Sequence, residues 1–481
     1  MTQATRFTAG LRLGIALSLA AMSAGCILKA DLPDPALEVP AGYKFAGRKD
    51  TAAPPTLDWW RAFGSRELTA LMEEAQTVNL DIAAATARII QADAQARTAG
   101  AALLPTLSGS VQDTRAKSSG SSASGLTNLG RHTTTYSSSL SASYEIDFWG
   151  KNRDAASAAE ETANANRFDR DVVALTTYAA VANAYFQVLV SQDRIKIANS
   201  NIASAQRIYD AIKQRLDAGT GTDLDLAQQE SVLVGQKAAV PPLRQTLQQN
   251  INALATLLSR PPESTKVTGG SLNRLAVPRI TPGLPSELLT QRPDIRRQEA
   301  DLASATANVG NARAQFFPSI QLTGSGGYQS AALAALFTPN AVFFNIAASA
   351  TQPIFDGGRI QANFDLQQAR QDELLQTYRK TVVSAFADVD NALIAIKEST
   401  ERLRLQRQVE VASRRAFDLS EQRLRAGTID IVTLLNTQLT LFQAEDTLAQ
   451  AQLARFQAII SLYQALGGGW MPRMEGPVDA L

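Results

Sequence analysis

In residues 136–151, YSSSLSASYEIDFWGK, large or apolar side chains occupy nearly every second position: Tyr136, Leu140, Ala142, Tyr144, Ile146 and Phe148. Ser137, Ser139, Ser141, Ser143, Glu145 and Asp147 fill the alternate places. A period of two predicts a strand with one greasy and one wet face. Globular strands average about 5–6 residues, so a run this long predicts lipid on one side and water on the other. Three shorter segments alternate in the same way. Leu107, Gly109 and Val111 oppose Thr106, Ser108 and Ser110; Ile320, Leu322 and Tyr328 oppose Gln321, Thr323 and Gln329; Phe344, Ile346, Ala348 and Ala350 mark the fourth. An open sheet edge cannot sit in lipid, because its unpaired N–H and C=O groups each cost several kcal/mol. Membrane barrels begin at about eight strands. Four strands therefore imply a barrel shared between copies, with eight strands from a dimer or twelve from a trimer. The Ser/Gly-rich residues 118–130 then form a flexible outside loop.

Elsewhere the period is helical. Val172, Leu175, Ala179, Ala182, Tyr185 and Leu189 fall three or four apart, as do Leu243, Leu247, Ile251, Leu254 and Leu258. Such narrow seams, filled out by alanine and glutamine, suit helices packed closely side by side. Helices are expected over 68–103, 154–216, 223–258, 285–317, 361–424 and 430–466. Residues 154–216 would reach roughly 95 Å if straight. Pro241-Pro242 is expected to break or kink its helix. The apolar stretch 331–350 is interrupted by Thr338-Pro339-Asn340, which predicts a loop between two shorter elements rather than a membrane helix.

The chain also repeats itself. RLDAGT at 215–220 and RLRAGT at 423–428 lie 208 residues apart. The same offset aligns YEIDFWGK (144–151) with QPIFDGGR (352–359), and YAAVANA (178–184) with FADVDNA (386–392). This register predicts a tandem duplication too long in period for a solenoid. Each copy holds a helix, two strands and a long helical hairpin. The segments are a signal at 1–25, an extended lipidated segment at 26–64, the first repeat at 65–260, a linker at 261–284, the second repeat at 285–466 and a tail at 467–481.

Composition narrows the chemistry. Lys+Arg is 46 and Asp+Glu is 45, so no basic excess points to nucleic acid. One cysteine, Cys26, and one histidine, His132, exclude an intrachain disulfide and a His/Cys metal cluster. No GxxxxGK[ST] nucleotide motif is present, so transport must be driven by a partner. Pairs such as Glu160-Glu161 lie on long polar helices, where a solvated face explains them better than acid–base catalysis; no enzyme is expected, and no cofactor. Arg6 and Arg12 precede an apolar run at 13–24 and then Gly25-Cys26. That run has the length of an export signal. Its ending resembles a bacterial lipoprotein signal, which implies a lipid on Cys26. Ile27 and Leu28 in place of Asp after the cysteine imply an outer-membrane address.

WWRAFGSREL (59–68), GLPSELLTQRPDI (283–295), ARAQFFPSIQLTG (312–324), QPIFDGGR and the paired RLxAGT turns resemble the bacterial outer membrane factors, the TolC-like efflux ducts, in their NodT-type lipoprotein branch. The resemblance implies a mostly α chain with membrane β. As a homotrimer it would form a twelve-stranded β-barrel continuous with a long periplasmic α-helical barrel. It implies a passive duct for drugs or other small molecules, joined to a periplasmic adaptor and an inner-membrane pump of the RND type. A type I protein-secretion duct is the alternative, and a lipid-anchored coiled-coil scaffold a further one. By position, Arg215, Gly219 and Thr220 with Arg423, Gly427 and Thr428 match the adaptor-docking tips. Asp225, Thr433 and Asn436 match the periplasmic gate. Two of these three carry no charge, and Ile429 stands where a basic partner is expected, so a weaker ionic gate is implied.

Overall fold

A computed structural model describes residues 31–45, 55–117, 132–278, 280 and 282–470. Cys26, the signal, the 118–130 loop and the tail beyond 470 lie outside these residues. The chain divides into two units, one containing 90–165 and 299–377, the other 36–89, 166–298 and 378–481. In chain order the elements are α1 (Arg66–Val78), α2 (Leu80–Gly100), β1 (Thr106–Lys117), β2 (His132–Ile146), α3 (Lys151–Asp217) and α4 (Asp223–Leu257). The second half continues with α5 (Pro285–Gln291), α6 (Pro293–Ala314), β3 (Ser319–Ser330), β4 (Val342–Thr351), α7 (Arg359–Arg425) and α8 (Ile431–Ala465).

In the first unit the strands form one antiparallel sheet in the order β1-β2-β3-β4. Its register puts the alternating positions in rows. Leu107, Ala142, Gly324 and Ile346 lie side by side, as do Gly109, Leu140, Gly326 and Phe344. Ser108, Ser141, Ser325 and Asn345 form a row on the opposite face. There Ser108 and Ser141 share a hydroxyl hydrogen bond of 2.8 Å, and Gln321 donates to Ser143 Oγ at 2.9 Å. The apolar face is bare: Val111 and Ile346 are each 83 % exposed. In water such a face would be costly; in lipid it is the stable arrangement. β3 approaches β2 so closely that a Cβ on Gly327 would collide with the Ser138 carbonyl.

β2 stops at Ile146, so Phe148 does not continue the alternation. Asp147 turns back to cap α3, accepting from Asn152 N at 2.9 Å and Arg153 N at 2.8 Å. Asp356 does the same for α7, accepting from Gly358 N and Ile360 N. Trp149 stacks on Phe317 at 4.7 Å and donates to the Pro318 carbonyl. Helices of this unit pack through small residues, with Ser304 donating to the Ala158 carbonyl at 2.8 Å.

The second unit has its core around Trp59, Trp60, Phe63, Leu68, Met72, Phe186, Leu254 and Phe456. Residues 59–63, expected to be extended, form a short 3-10 helix buried in that core. Glu67 ties in the linker, accepting from Thr268 N at 2.7 Å and Gly269 N at 3.0 Å. A second cluster joins Tyr43, Leu288, Ile295, Val382 and Leu462, where Arg292 bonds Asp294, Asp388 and the Ala465 carbonyl.

Three helix expectations need correction. The helix over 68–103 is two, divided at Asn79, whose Oδ1 accepts from Asp81 N and Ile82 N while its Nδ2 donates to the Leu257 carbonyl. The helix over 285–317 is also two. Arg292 takes the extended conformation that a following proline favours, and Pro293 opens α6. Of the break or kink expected at Pro241-Pro242, the break is absent: α4 runs through both. The carbonyls four residues back belong to Lys237 and Ala238, both exposed, where water can replace the lost N–H bonds. Between β3 and β4 the chain forms two short 3-10 turns, Leu333–Ala335 and Pro339–Ala341. α3 contains a window apolar enough to cross a membrane, but more than half of it is buried inside the fold; its apolar side chains, Phe186 and Leu189 among them, serve the core.

Candidate docking tips and gate

Each long hairpin of the second unit turns through the same bonds. At the first tip Gly219 has φ +72°, its N–H donates to the Leu216 carbonyl at 2.8 Å, and Thr220 N donates to the Arg215 carbonyl at 2.8 Å. At the second tip Gly427 has φ +70°, and the matching bonds run to Leu424 at 3.0 Å and Arg423 at 2.9 Å. These are the paired bonds of a Schellman cap, which requires a left-handed residue where glycine is cheapest. Thr220 and Thr428 add a hydroxyl bond to the same arginine carbonyls, at 3.0 Å and 3.1 Å. The backbone is thereby fixed, and all six tip residues remain exposed. Ile208 and Ile212 of α3, Phe417 of α7, and Ile431, Leu434 and Leu435 of α8 form one cluster behind the tips. The two turns therefore share a core.

The helices leaving the tips are capped by exchanged residues. Thr222 and Asp225 form a capping box on α4: Asp225 N donates to Thr222 Oγ1 at 3.1 Å and Thr222 N donates to Asp225 Oδ2 at 3.3 Å. In the second copy the same two places hold Asp430 and Thr433, and Thr433 N donates to Asp430 Oδ1 at 2.8 Å. The capping carboxylate at the positive end of each helix is thus displaced by three residues, and α4 carries a second one, Asp223, in its first turn. Two gate candidates, Asp225 and Thr433, are thus also cap residues. Asn436 is exposed on α8. Among the described residues no hydrogen bond links it to Asp225. Asp430 and Asp223 are acidic residues at this end outside the expected gate set; for Asp430 the exchange of Thr-x-x-Asp for Asp-x-x-Thr at the repeat offset is the signal.

The hydroxyl and N–H of Thr433 hold the Asp430 carboxyl below its ordinary range. Its contribution is complete above the unfolded carboxylate pKa and is lost as pH falls through the lower folded value. Hydrogen-exchange protection at Thr433 should fall on acidification in the native protein and stay level in Asp430→Asn, which keeps an uncharged cap. Equal acid sensitivity in both would assign the effect elsewhere.

Among the described residues no group of three or more His, Cys, Asp or Glu is arranged to hold a metal. The profile of the outer membrane efflux proteins matches residues 71–260 and 284–468. The chain belongs to this family. The pyoverdine export outer membrane protein OpmQ of Pseudomonas aeruginosa is 40 % identical over 448 residues, spanning 92 % of this chain and 94 % of OpmQ. The cation efflux system protein CusC of Escherichia coli K12 is 30 % identical over 455 residues, 92 % of this chain and 96 % of CusC. The solved outer-membrane channel OprN superposes with a TM-score of 0.87 at 28 % identity, over 93 % of this chain and all of that one. This efflux protein is therefore an outer-membrane channel component, and its mostly helical fold with a membrane sheet is that of the TolC-like channels.

Proposed function

We propose that three copies of this efflux protein close the open edges of the sheet, β4 of one copy beside β1 of the next, into a twelve-stranded exit duct. The observation that carries this reading is an exposed apolar sheet face ending in two unpaired edges. Every neighbouring pair is antiparallel, so β4 runs opposite to β1 and the joint repeats the pattern within the sheet. The six exposed tip residues dock a periplasmic adaptor, which connects to an inner-membrane pump of the RND type. Cys26 carries the lipid anchor. Asp225, Thr433 and Asn436, with the Asp430 carboxylate beside them, line the periplasmic opening, held by caps and packing more than by ion pairs. The duct catalyses no reaction.

Small molecules are the cargo, and pyoverdine is the first to test because a relative named for its export shares 40 % identity. Deleting the gene should lower the appearance of pyoverdine in the medium, or sensitise cells to at least one drug or metal in a broad panel. Full-length protein should restore it. Unchanged export and susceptibility for every compound would overturn the small-molecule reading, and selective loss of a secreted polypeptide would favour a protein-secretion duct.

A further inference from the structure

The pleat of the sheet continues past its apolar rows at the end away from the helices. β1 and β2 keep one unbroken register from Thr106 opposite Ser143 to Lys117 opposite His132. β3 and β4 stop earlier, with Ser330 opposite Tyr136 and Val342 opposite Tyr328. The β1–β2 hairpin therefore stands alone over residues 114–117 and 132–135. The helices leave the sheet toward the periplasm, so this end is the outer one. Here the two phases of the pleat differ in charge. The phase of Leu107, Val111 and Leu140, which faces lipid, carries Asp113, Arg115, Lys117 and His132. The opposite phase, which faces water, carries Gln112, Thr114, Ala116, Thr133 and Thr135, with no ionisable group.

A charge on a membrane sheet is stable on the wet face and costly on the lipid face. The hairpin end does the reverse, so the surroundings of its outward face must turn polar and anionic at this level. Depth agrees. The row of Arg115 and Thr134 lies four residues beyond the row of Val111 and Ser138. That is about 13 Å along the strands and about 10 Å in depth at a tilt of about 40°, which is headgroup level. Tyr136 occupies the row between, the boundary position that tyrosine favours. The Arg115 side chain is 74 % exposed, with Asp113 at 3.8 Å. Lys117 and His132 are exposed as well.

We infer that Arg115 and Lys117 form a binding site for the phosphate group of an outer-leaflet lipid, whose acyl chains lie on the apolar rows beneath. Arg115 presents planar, paired donors that match two phosphate oxygens, and Lys117 adds a compact positive charge two residues on. The row below supplies the apolar wall: Val111 and Val342 are exposed, and Tyr328 meets Phe337 edge to face at 5.4 Å. The site is continuous with the lipid-facing sheet and fixes the depth at which the sheet sits. Asp113 offsets part of its charge. The inference uses the membrane placement of the sheet and not the number of copies proposed above.

The test is titration of purified full-length protein in mild detergent with diphosphoryl lipid A, a phosphorylated glycolipid. Its phosphate-free counterpart and inorganic phosphate are the comparators. Only the phosphorylated lipid should bind well. Arg115→Gln with Lys117→Gln should weaken it about ten- to thirtyfold, at about fivefold per basic side chain near a charged surface. Adding Thr114→Arg and Ala116→Lys to that pair restores the net charge on the water face and should not restore binding. Asp113→Asn should tighten binding by up to about fivefold. Heat-modifiable bands should match the unaltered protein in each variant; if the double variant does not assemble, Lys117→Gln alone should show the fivefold loss. Unchanged affinity in the Gln variants, recovery by the relocated charges, or equal binding of the phosphate-free lipid overturns the site. Inorganic phosphate binding as tightly as the lipid overturns the lipid as its occupant. None of these outcomes bears on how many copies share the barrel.

Discussion

Ile346→Arg should abolish accumulation of the assembled protein in the outer membrane. Ile346 sits in the third of five apolar rows, between the Ile146–Ile320–Ala350 and Val111–Ser138–Tyr328–Val342 rows, and so near mid-depth. Arginine facing lipid at that level costs about 2–4 kcal/mol per site, and the three-copy duct proposed above would carry it three times. The neighbouring Asn345→Arg points to the polar face, in the row of Ser108, Ser141 and Ser325. That variant should insert normally and alter only the ion selectivity of single channels. The check is the amount of heat-modifiable protein in outer-membrane fractions, followed by bilayer recordings. Equal membrane yields for the two variants would overturn the assignment of a lipid face, and the reverse order would mean that the faces are exchanged.

The feature behind this result was legible in the sequence because it is local. Period-two alternation survives any tertiary context, and the strands pair in the phase it implied, down to Phe344 and Ile346 on the weakest of the four. The tips were legible for the same reason: a glycine after a long helical period and before a capping residue specifies its own bonds. The misread places are those where a distant partner decides. Asn79 looks like one more polar position on a helix until Leu257, 178 residues away, accepts its amide. Asp147 looks like a strand residue until α3 needs a cap. Pro241-Pro242 looks like a break, yet the helix persists where the affected carbonyls reach water. The pairing of α3 with α8 left no local trace at all.

Phe63→Ala should be the most destabilising single truncation in the helical unit. Phe63 is completely buried, with ring centroids 5.1 Å from Phe186, 6.0 Å from Phe456, 6.2 Å from Trp59 and 6.3 Å from Tyr463. Truncating such a ring removes its transfer energy and leaves a cavity, about 3–5 kcal/mol together. Lost edge-to-face contacts lie within that range. A change at Val411, 63 % exposed on α7, should stay within about 0.5 kcal/mol. Thermal unfolding of purified protein reads the difference, and the channels that do fold should conduct normally, since Phe63 is sealed inside the core. Comparable melting of the two variants would show that this cluster is not what holds the unit together. The location of the residue explains why its effect should be so large. Phe63 belongs to the segment preceding the first repeat, Phe186 to the first repeat, and Phe456 and Tyr463 to the second. One side chain thus locks the leading segment onto both halves of the duplication. Removing it loosens a joint that neither repeat can supply, because neither contains a copy of it.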